Sequence, residues 1–270
     1  LCKLGFLAIR SRGKPWRKAL FLDHLLTCYF QGLNRKAKPD FSTIFLNAGA
    51  HIQHHYFANS SFYAEKRVPM PSWYIPASDD PVKEMVTAYD TMLGQIMSQN
   101  SNYDIVLATG LSQVLCEAPT FYYRLRDHEH FLSLLQIQFV GVLPRMTRDF
   151  LVEFKDSQKT QHAERLLSSV KLKKKNFFEI DNRGNSLFVT LCYDDEIMRG
   201  DALESECSKP IQIYDHTVFV ALKNGVHAST GEVFSSFKCE QLDATKPSHV
   251  SNLFDALKGR FIVESPTQNI

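Results

Sequence analysis

Apolar residues recur along this chain with two distinct periods. Over residues 14–34, Leu20, Leu22, Leu25, Leu26, Tyr29, Phe30 and Leu33 fall at helical spacing, which predicts an amphipathic helix closed by Pro39, with His24 and Cys28 as packing residues. Asp79-Asp80-Pro81 supplies a cap and a first-turn proline for a second helix reaching about Gln99. Its inner face is Val82, Met85, Val86, Tyr89, Met92, Leu93, Ile96 and Met97. Shorter helices are predicted over 127–135, over 157–169 with His162 and Arg165 exposed, and over 250–257 behind a cap-like Ser248.

The continuous apolar runs at 41–46 and 104–108 read as short strands covered on both faces, as in a parallel sheet. With the helix between them they predict a β-α-β crossover whose strand ends share one edge. Alternation at 149–154 and 186–193, a short strand at 177–180 and an Asn182-Arg183-Gly184-Asn185 turn predict a β-α-β-β lobe. A strand at 217–222 leads into K-N-G-V-H-A-S-T-G-E-V-F. The fold class expected is therefore α/β, a mostly parallel sheet flanked by helices with a small β-α-β-β insertion lobe. The expected division is a core over 1–145, the lobe over 146–208, and completion of the core over 209–270. The proline-interrupted stretch 68–81, with Trp73, is either a lid or an irregular surface crossing.

Composition narrows the class. At 270 residues and 44% hydrophobic content a sizeable core is affordable. With 31 basic against 29 acidic residues the net charge is +2, which disfavours nucleic acid or an anionic membrane as the main partner. The run Lys171-Leu-Lys-Lys-Lys175 reads as a solvated loop. Cys2, Cys28, Cys116, Cys192, Cys207 and Cys239 are scattered without a C-x-x-C. They point to a reducing compartment, a cytoplasmic location, and thiols packed in the interior. No apolar run approaches the roughly 18 residues of a spanning helix, and no signal peptide is expected. Since the chain begins at Leu1, a longer precursor or a missing N-terminal part is expected.

Chemistry concentrates in N-A-G-A-H-I-Q-H-H, where His51, His54 and His55 follow Asn47. On a helix, His51 and His55 share a face at a spacing that suits two ligands of one metal, zinc above all. The alternative is polar loop surface. His227, between Gly225 and Gly231, follows an apolar strand as His51 does, and is either a ligand or a structural histidine. If both strands lie in one parallel sheet, His51 and His227 converge at its edge, with Asn47 or His55 nearby. Thr109, Ser112 and Gln113 offer hydroxyl and amide groups behind the second strand; Thr109, Ser112 and His54 are the candidate substrate contacts. Asp215-His216 and Asp127-His128-Glu129-His130 are weaker candidates, the latter at a helix start where acids favour the dipole in any case.

The order of these pieces resembles the C-terminal two-thirds of the alkaline-phosphatase-like superfamily, which includes type I phosphodiesterases, nucleotide pyrophosphatases and sulfatases. The resemblance covers residues 38–115 and 211–260. It rests on Asn47 and His51 where the family has aspartate and histidine, on Ala88-Tyr89-Asp90-Thr91-Met92-Leu93-Gly94, and on G-V-H-A-S-T-G-E-V-F with His227 at the family's late metal ligand. The family's Asp-His pair falls on Gly110-Leu111, and nothing in residues 1–40 supplies its nucleophile. The resemblance implies a metal-dependent hydrolase of phosphate or sulfate esters, a partial chain without the nucleophile region. Its metal would be divalent, zinc by preference, on His51, His227, Asn47 and His55, and its partner a small phosphate or sulfate ester. The other expectation is a non-catalytic protein of the same kind that binds a partner or small ligand.

Overall fold

A computed structural model describes residues 13–63, 68–206, 209–238 and 249–261. It divides into two units, one of residues 1–117 with 224–270 and the other of residues 118–223.

The first unit is built on three helices: α1 (Pro15–Ala37), α2 (Ala48–Tyr56) and α3 (Pro81–Gln99). Pro15 opens α1 and a left-handed Lys38 closes it, its N–H bonding the Asn34 carbonyl. Asp80 caps α3 by accepting from the Lys83 N–H, with Pro81 in the first turn. Trp16, Leu20, Ile52, Tyr56, Phe57, Val82 and Met85 form the core among these helices. Arg17 grips Glu84 through Nε and Nη2 at 2.8 and 2.7 Å, tying α1 to α3. Within α3, Val82, Met85, Met92 and Ile96 are buried as the spacing predicts, whereas Val86 and Met97 are exposed.

The parallel sheet expected from the sequence is not what forms. Residues 41–46 make no strand; they return alongside α1, where the Asn34 amide meets the Ser42 hydroxyl, and leave Phe45 78% exposed. Strand β1 (Val106–Ala108) forms where expected, but it pairs antiparallel with β12 (Val233–Ser235) and lies open on its surface. The sheets among the described residues are antiparallel and have two to four strands, so the α/β class with a mostly parallel sheet is corrected. The physical reason is that a six-residue apolar run has no period of its own to tell strand from connecting segment. Only a partner strand decides, and among the described residues none pairs with 41–46.

In the second unit alternation governs. Strands β3 (Gly141–Pro144), β4 (Asp149–Glu153), β7 (Phe178–Asn182) and β8 (Ser186–Leu191) form an antiparallel sheet of order β3-β4-β8-β7. Helix α5 (Ser157–Ser169) is capped by Asp156 and buries Thr160, Ala163, Leu166 and Leu167, with His162 and Arg165 outward. The N-R-G-N turn joins β7 to β8: Gly184 takes φ +86 and its N–H bonds the Asn182 side chain. A short helix, α4 (His128–Leu134), is capped by Asp127.

The lysines of the basic run are solvated as expected, but the run is a hairpin rather than a loop. Strands β5 (Lys171–Leu172) and β6 (Lys175–Asn176) make a tight hairpin with Lys173 and Lys174 both at positive φ. Lys173 meets Asp201 at 2.7 Å, and Lys175 meets Asp194 and Asp195, so the acidic loop is the counterpart of the basic run. Two short strands, β9 (Ala202–Leu203) and β10 (Ile211–Gln212), pair nearby in sequence.

Strands β2 (Ser112–Leu125) and β11 (Thr217–Ala228) pair with one another, and each contributes residues to both units. The last helix, α6, runs Asn252–Gly259, two residues later than predicted; Ser248 lies outside the described residues. Cys28 is exposed and Cys116 and Cys192 are half-buried, against the expectation of interior thiols.

Candidate functional site

The histidine cluster lies on α2, and α2 is fixed at both ends by polar groups from elsewhere in the first unit. Its cap residue, Asn47, uses no side-chain hydrogen bond. The cap comes instead from Asp23 of α1, only 5% exposed, whose carboxylate accepts from the N–H groups of Asn47 (3.3 Å) and Ala48 (2.9 Å). The Tyr89 hydroxyl of α3 donates to Asp23 at 2.8 Å and accepts from the Gly49 N–H at 2.7 Å. Burial, and then the bond to Asp23, push the Tyr89 hydroxyl well above the ordinary phenol range, so it stays a donor.

At the other end, fully buried Asn224 donates from Nδ2 to the His55 carbonyl at 2.8 Å and accepts from the Ala58 N–H at 3.2 Å. The Tyr74 hydroxyl donates to the same His55 carbonyl at 3.0 Å. The orphan groups at both ends of a short helix are thus met by side chains, which sets its rotation and the direction of its imidazoles.

Gly225 lets β11 come against α2. A Cβ there would stand 2.3 Å from the Gln53 carbonyl oxygen, closer than any side chain allows. The approach brings the Gly225 carbonyl within 2.9 Å of His54 Nδ1. A carbonyl only accepts, so His54 carries its proton on Nδ1 when neutral, and the Nε2 lone pair points away. That Nε2 lies 3.2 Å from His227 Nε2, with the rings perpendicular and their centroids 4.6 Å apart.

It is therefore His54, not His51, that meets His227. The convergence expected at a parallel sheet edge is corrected in its partner and its cause: His227 stands within the longer strand β11, and α2 reaches it through Gly225. His51 packs edge-on against His55 instead, centroids 4.9 Å apart, on the shared helical face their spacing predicts. Loss of water around its ring, and then repulsion from His54, lower the His51 pKa below the ordinary imidazole value. The backbone N–H of Asn47 is held by Asp23. Thr109 pairs with Glu232 in both directions and Ser112 meets Thr230 at 3.4 Å, so these hydroxyls help to hold the loop beyond β1. Gln113 donates to the Ala50 carbonyl, while its buried Oε1 finds no donor among the described residues. Such atoms are few in native interiors.

In the second unit the His130 and His216 rings lie tilted with centroids 5.5 Å apart, and His128 packs against Phe150. Burial lowers the His128 pKa; Asp127 opposes that shift.

The donor set at the pair fits a transition ion. Two imidazole nitrogens on one tetrahedral ion, each at ~2.0–2.1 Å from it, lie roughly 3.3 Å apart. A ligating histidine also commonly donates its other N–H to a backbone carbonyl, as His54 does to Gly225. Among the described residues no group of three or more His, Cys, Asp or Glu side chains is gathered for a metal. The same geometry serves a shared proton, with His227 Nε2–H donating to His54 Nε2. Sequence reasoning missed Asp23, Tyr89, Asn224 and the separate part played by Gly225. One signal was available: Asp23 is the sole acid in the apolar-rich α1.

Comparison of the chain with family models, curated proteins and solved structures gives no match.

Proposed function

We propose that the His54–His227 pair is a transition-metal site serving hydrolysis of phosphate or sulfate esters. The observation that carries this reading is the 3.2 Å approach of two Nε2 atoms, one belonging to a ring whose Nδ1 is already anchored on a carbonyl. When bound, a divalent ion supplies Lewis acidity toward an ester oxygen and a hydroxide at neutral pH. The chain's own part is orientation. Gly225 fixes the tautomer of His54, Asp23 and Asn224 fix α2, and His51 stays neutral at pH 7 and so can accept a proton.

A second reading, a non-catalytic ligand-binding protein, is favoured by Gly110-Leu111, where the resembling family has metal-binding aspartate and histidine. One experiment separates them. Zinc affinity and hydrolysis of p-nitrophenyl phosphate, bis(p-nitrophenyl) phosphate and p-nitrophenyl sulfate are measured for the wild type, His54→Ala and His227→Ala. The expected result is zinc binding weakened at least about tenfold in each variant and hydrolysis lost with it. Zinc bound normally by both variants refutes the site. Zinc bound through the pair with no ester hydrolysed leaves the second reading.

A further inference from the structure

Helix α1 presents the wrong face to the solvent for a helix with no partner. Its inward face carries Asp23, Thr27 and Gln31 alongside Trp16 and Leu20, and the buried Gln31 amide nitrogen meets no acceptor among the described residues. Its outward face carries Leu22 (61% exposed), Leu25 (42%), Leu26 (42%), Tyr29 (67%) and Leu33 (49%). Single exposed apolar side chains are ordinary, but four leucines and a tyrosine on one helix face form a contiguous patch of the kind that marks an interface.

The spacing identifies the kind of interface. Leu22, Leu26, Tyr29 and Leu33 alternate by four and three residues, the a/d seam of a helix that packs against another helix. With Leu25 they span an arc of about 100° at the α-helical rotation per residue. That is narrow for a helix lying in a lipid surface, and the opposite side of α1 is occupied by the core.

Charge selects the partner. Exposed Lys18 and Lys36 bracket the seam at its two ends on the same side. The single acid of the helix, Asp23, is turned inward onto α2. A second copy of α1 laid antiparallel would set Lys18 against Lys36, and laid parallel would set each lysine against itself, so like charges oppose self-pairing. We propose that the α1 seam docks an amphipathic helix of another protein whose apolar a/d stripe is flanked by acidic residues.

The test uses a fluorescein-labelled three-heptad peptide with Leu at a and d and Glu at e and g, whose own charge repulsion discourages pairing with itself. Its control carries Lys at e and g. Fluorescence anisotropy with the full chain is expected to show the Glu peptide binding at least about tenfold more tightly than the Lys peptide. Leu26→Asp/Tyr29→Asp is expected to abolish binding, and Lys18→Glu/Lys36→Glu to invert the preference, with helical circular dichroism unchanged in both. Equal binding of the two peptides, or an unchanged preference in the charge-reversed protein, overturns the proposal. So does failure of both peptides to bind, whether the chain then sediments with phosphatidylserine vesicles or forms a dimer that Leu26→Asp/Tyr29→Asp disperses.

Discussion

Both units have an apolar core, but the first also buries a carboxylate and a carboxamide that hold a helix. The second fills its interior with side chains from alternating strands: Phe150, Val152, Leu187, Val189 and Leu191 are all fully buried. The first buries Asp23, Thr27 and Asn224 while leaving Leu22, Tyr29 and Phe45 more than half exposed. In the second unit burial follows apolar area, which is non-directional and needs only the right face of each strand. Around α2 burial follows the direction of hydrogen bonds, because Asp23 and Asn224 are inside to meet particular backbone groups. A polar frame of this sort gives up hydrophobic stabilisation for a fixed orientation, which is what a pair of convergent imidazoles requires.

The comparison is broken most forcefully from the apolar side. Phe150 lies on β4, packed against His128 and Phe178 with no exposure. Phe150→Ala is expected to cost about 3–5 kcal/mol, the transfer of a ring plus the cavity it leaves. Hydrogen exchange followed residue by residue should show β4 and β8 amides losing protection while α2 amides keep theirs. Equal loss in both would mean that the units unfold together, and the contrast would carry no separate stabilities.

The polar side is expected to yield less. Asp23→Ala strands the Asn47 and Ala48 N–H groups and the Tyr89 hydroxyl, three groups bonded to one buried carboxylate. The cost is expected to be about 2–3 kcal/mol, with protection lost at α2 and not at β8. Asp23→Asn, which keeps an accepting oxygen, should retain part of that stability. A cost under about 0.5 kcal/mol for Asp23→Ala would show that α2 is held by something else.

This contrast also accounts for what the sequence made readable. Alternation at β4 and β8, the N-R-G-N turn and the Asp80-Pro81 cap are local patterns, and the structure has each of them. The 41–46 segment failed because its conformation depends on a partner strand that local pattern cannot supply. The histidines were visible as a cluster, and the glycine beside His227 as a close approach. Which imidazole meets His227 was not, because it depends on the rotation of α2. That rotation is set by residues 24 and more positions away, Asp23, Tyr89 and Asn224. Spacing also put Val86 and Met97 inside, since a helical period fixes a face only to within about one position on either side.

The smallest expected effect separates the units by pH. Burial lowers the pKa of His24 and is the main cause of the lowered value at His51, both in the first unit, as it does at His128 in the second. A base with a lowered folded pKa binds more protons when unfolded, so stability rises with pH through the window just below the ordinary imidazole value of 6.5. Acidification from pH 7 toward 5 should therefore weaken both units, the first more, by two imidazoles against one. All three rings keep some contact with solvent, so the slope is shallow. The carboxylates work in a lower window. Glu84, held down by Arg17 and Trp16 against the cost of burial, and Asp80, held down by the Lys83 and Ser61 N–H groups against the same cost, contribute stability above their ordinary values of 4.5 and 3.8 that is lost below them. Asp201, bonded to Lys173, does the same in the second unit. Urea titrations at half-unit steps, read by exchange at α2 and β8, should show two sloping regions on either side of pH 5. The upper one should flatten for α2 in His24→Gln and His51→Gln. If both replacements leave the α2 slope between pH 7 and 5 unchanged, these two imidazoles are not its source.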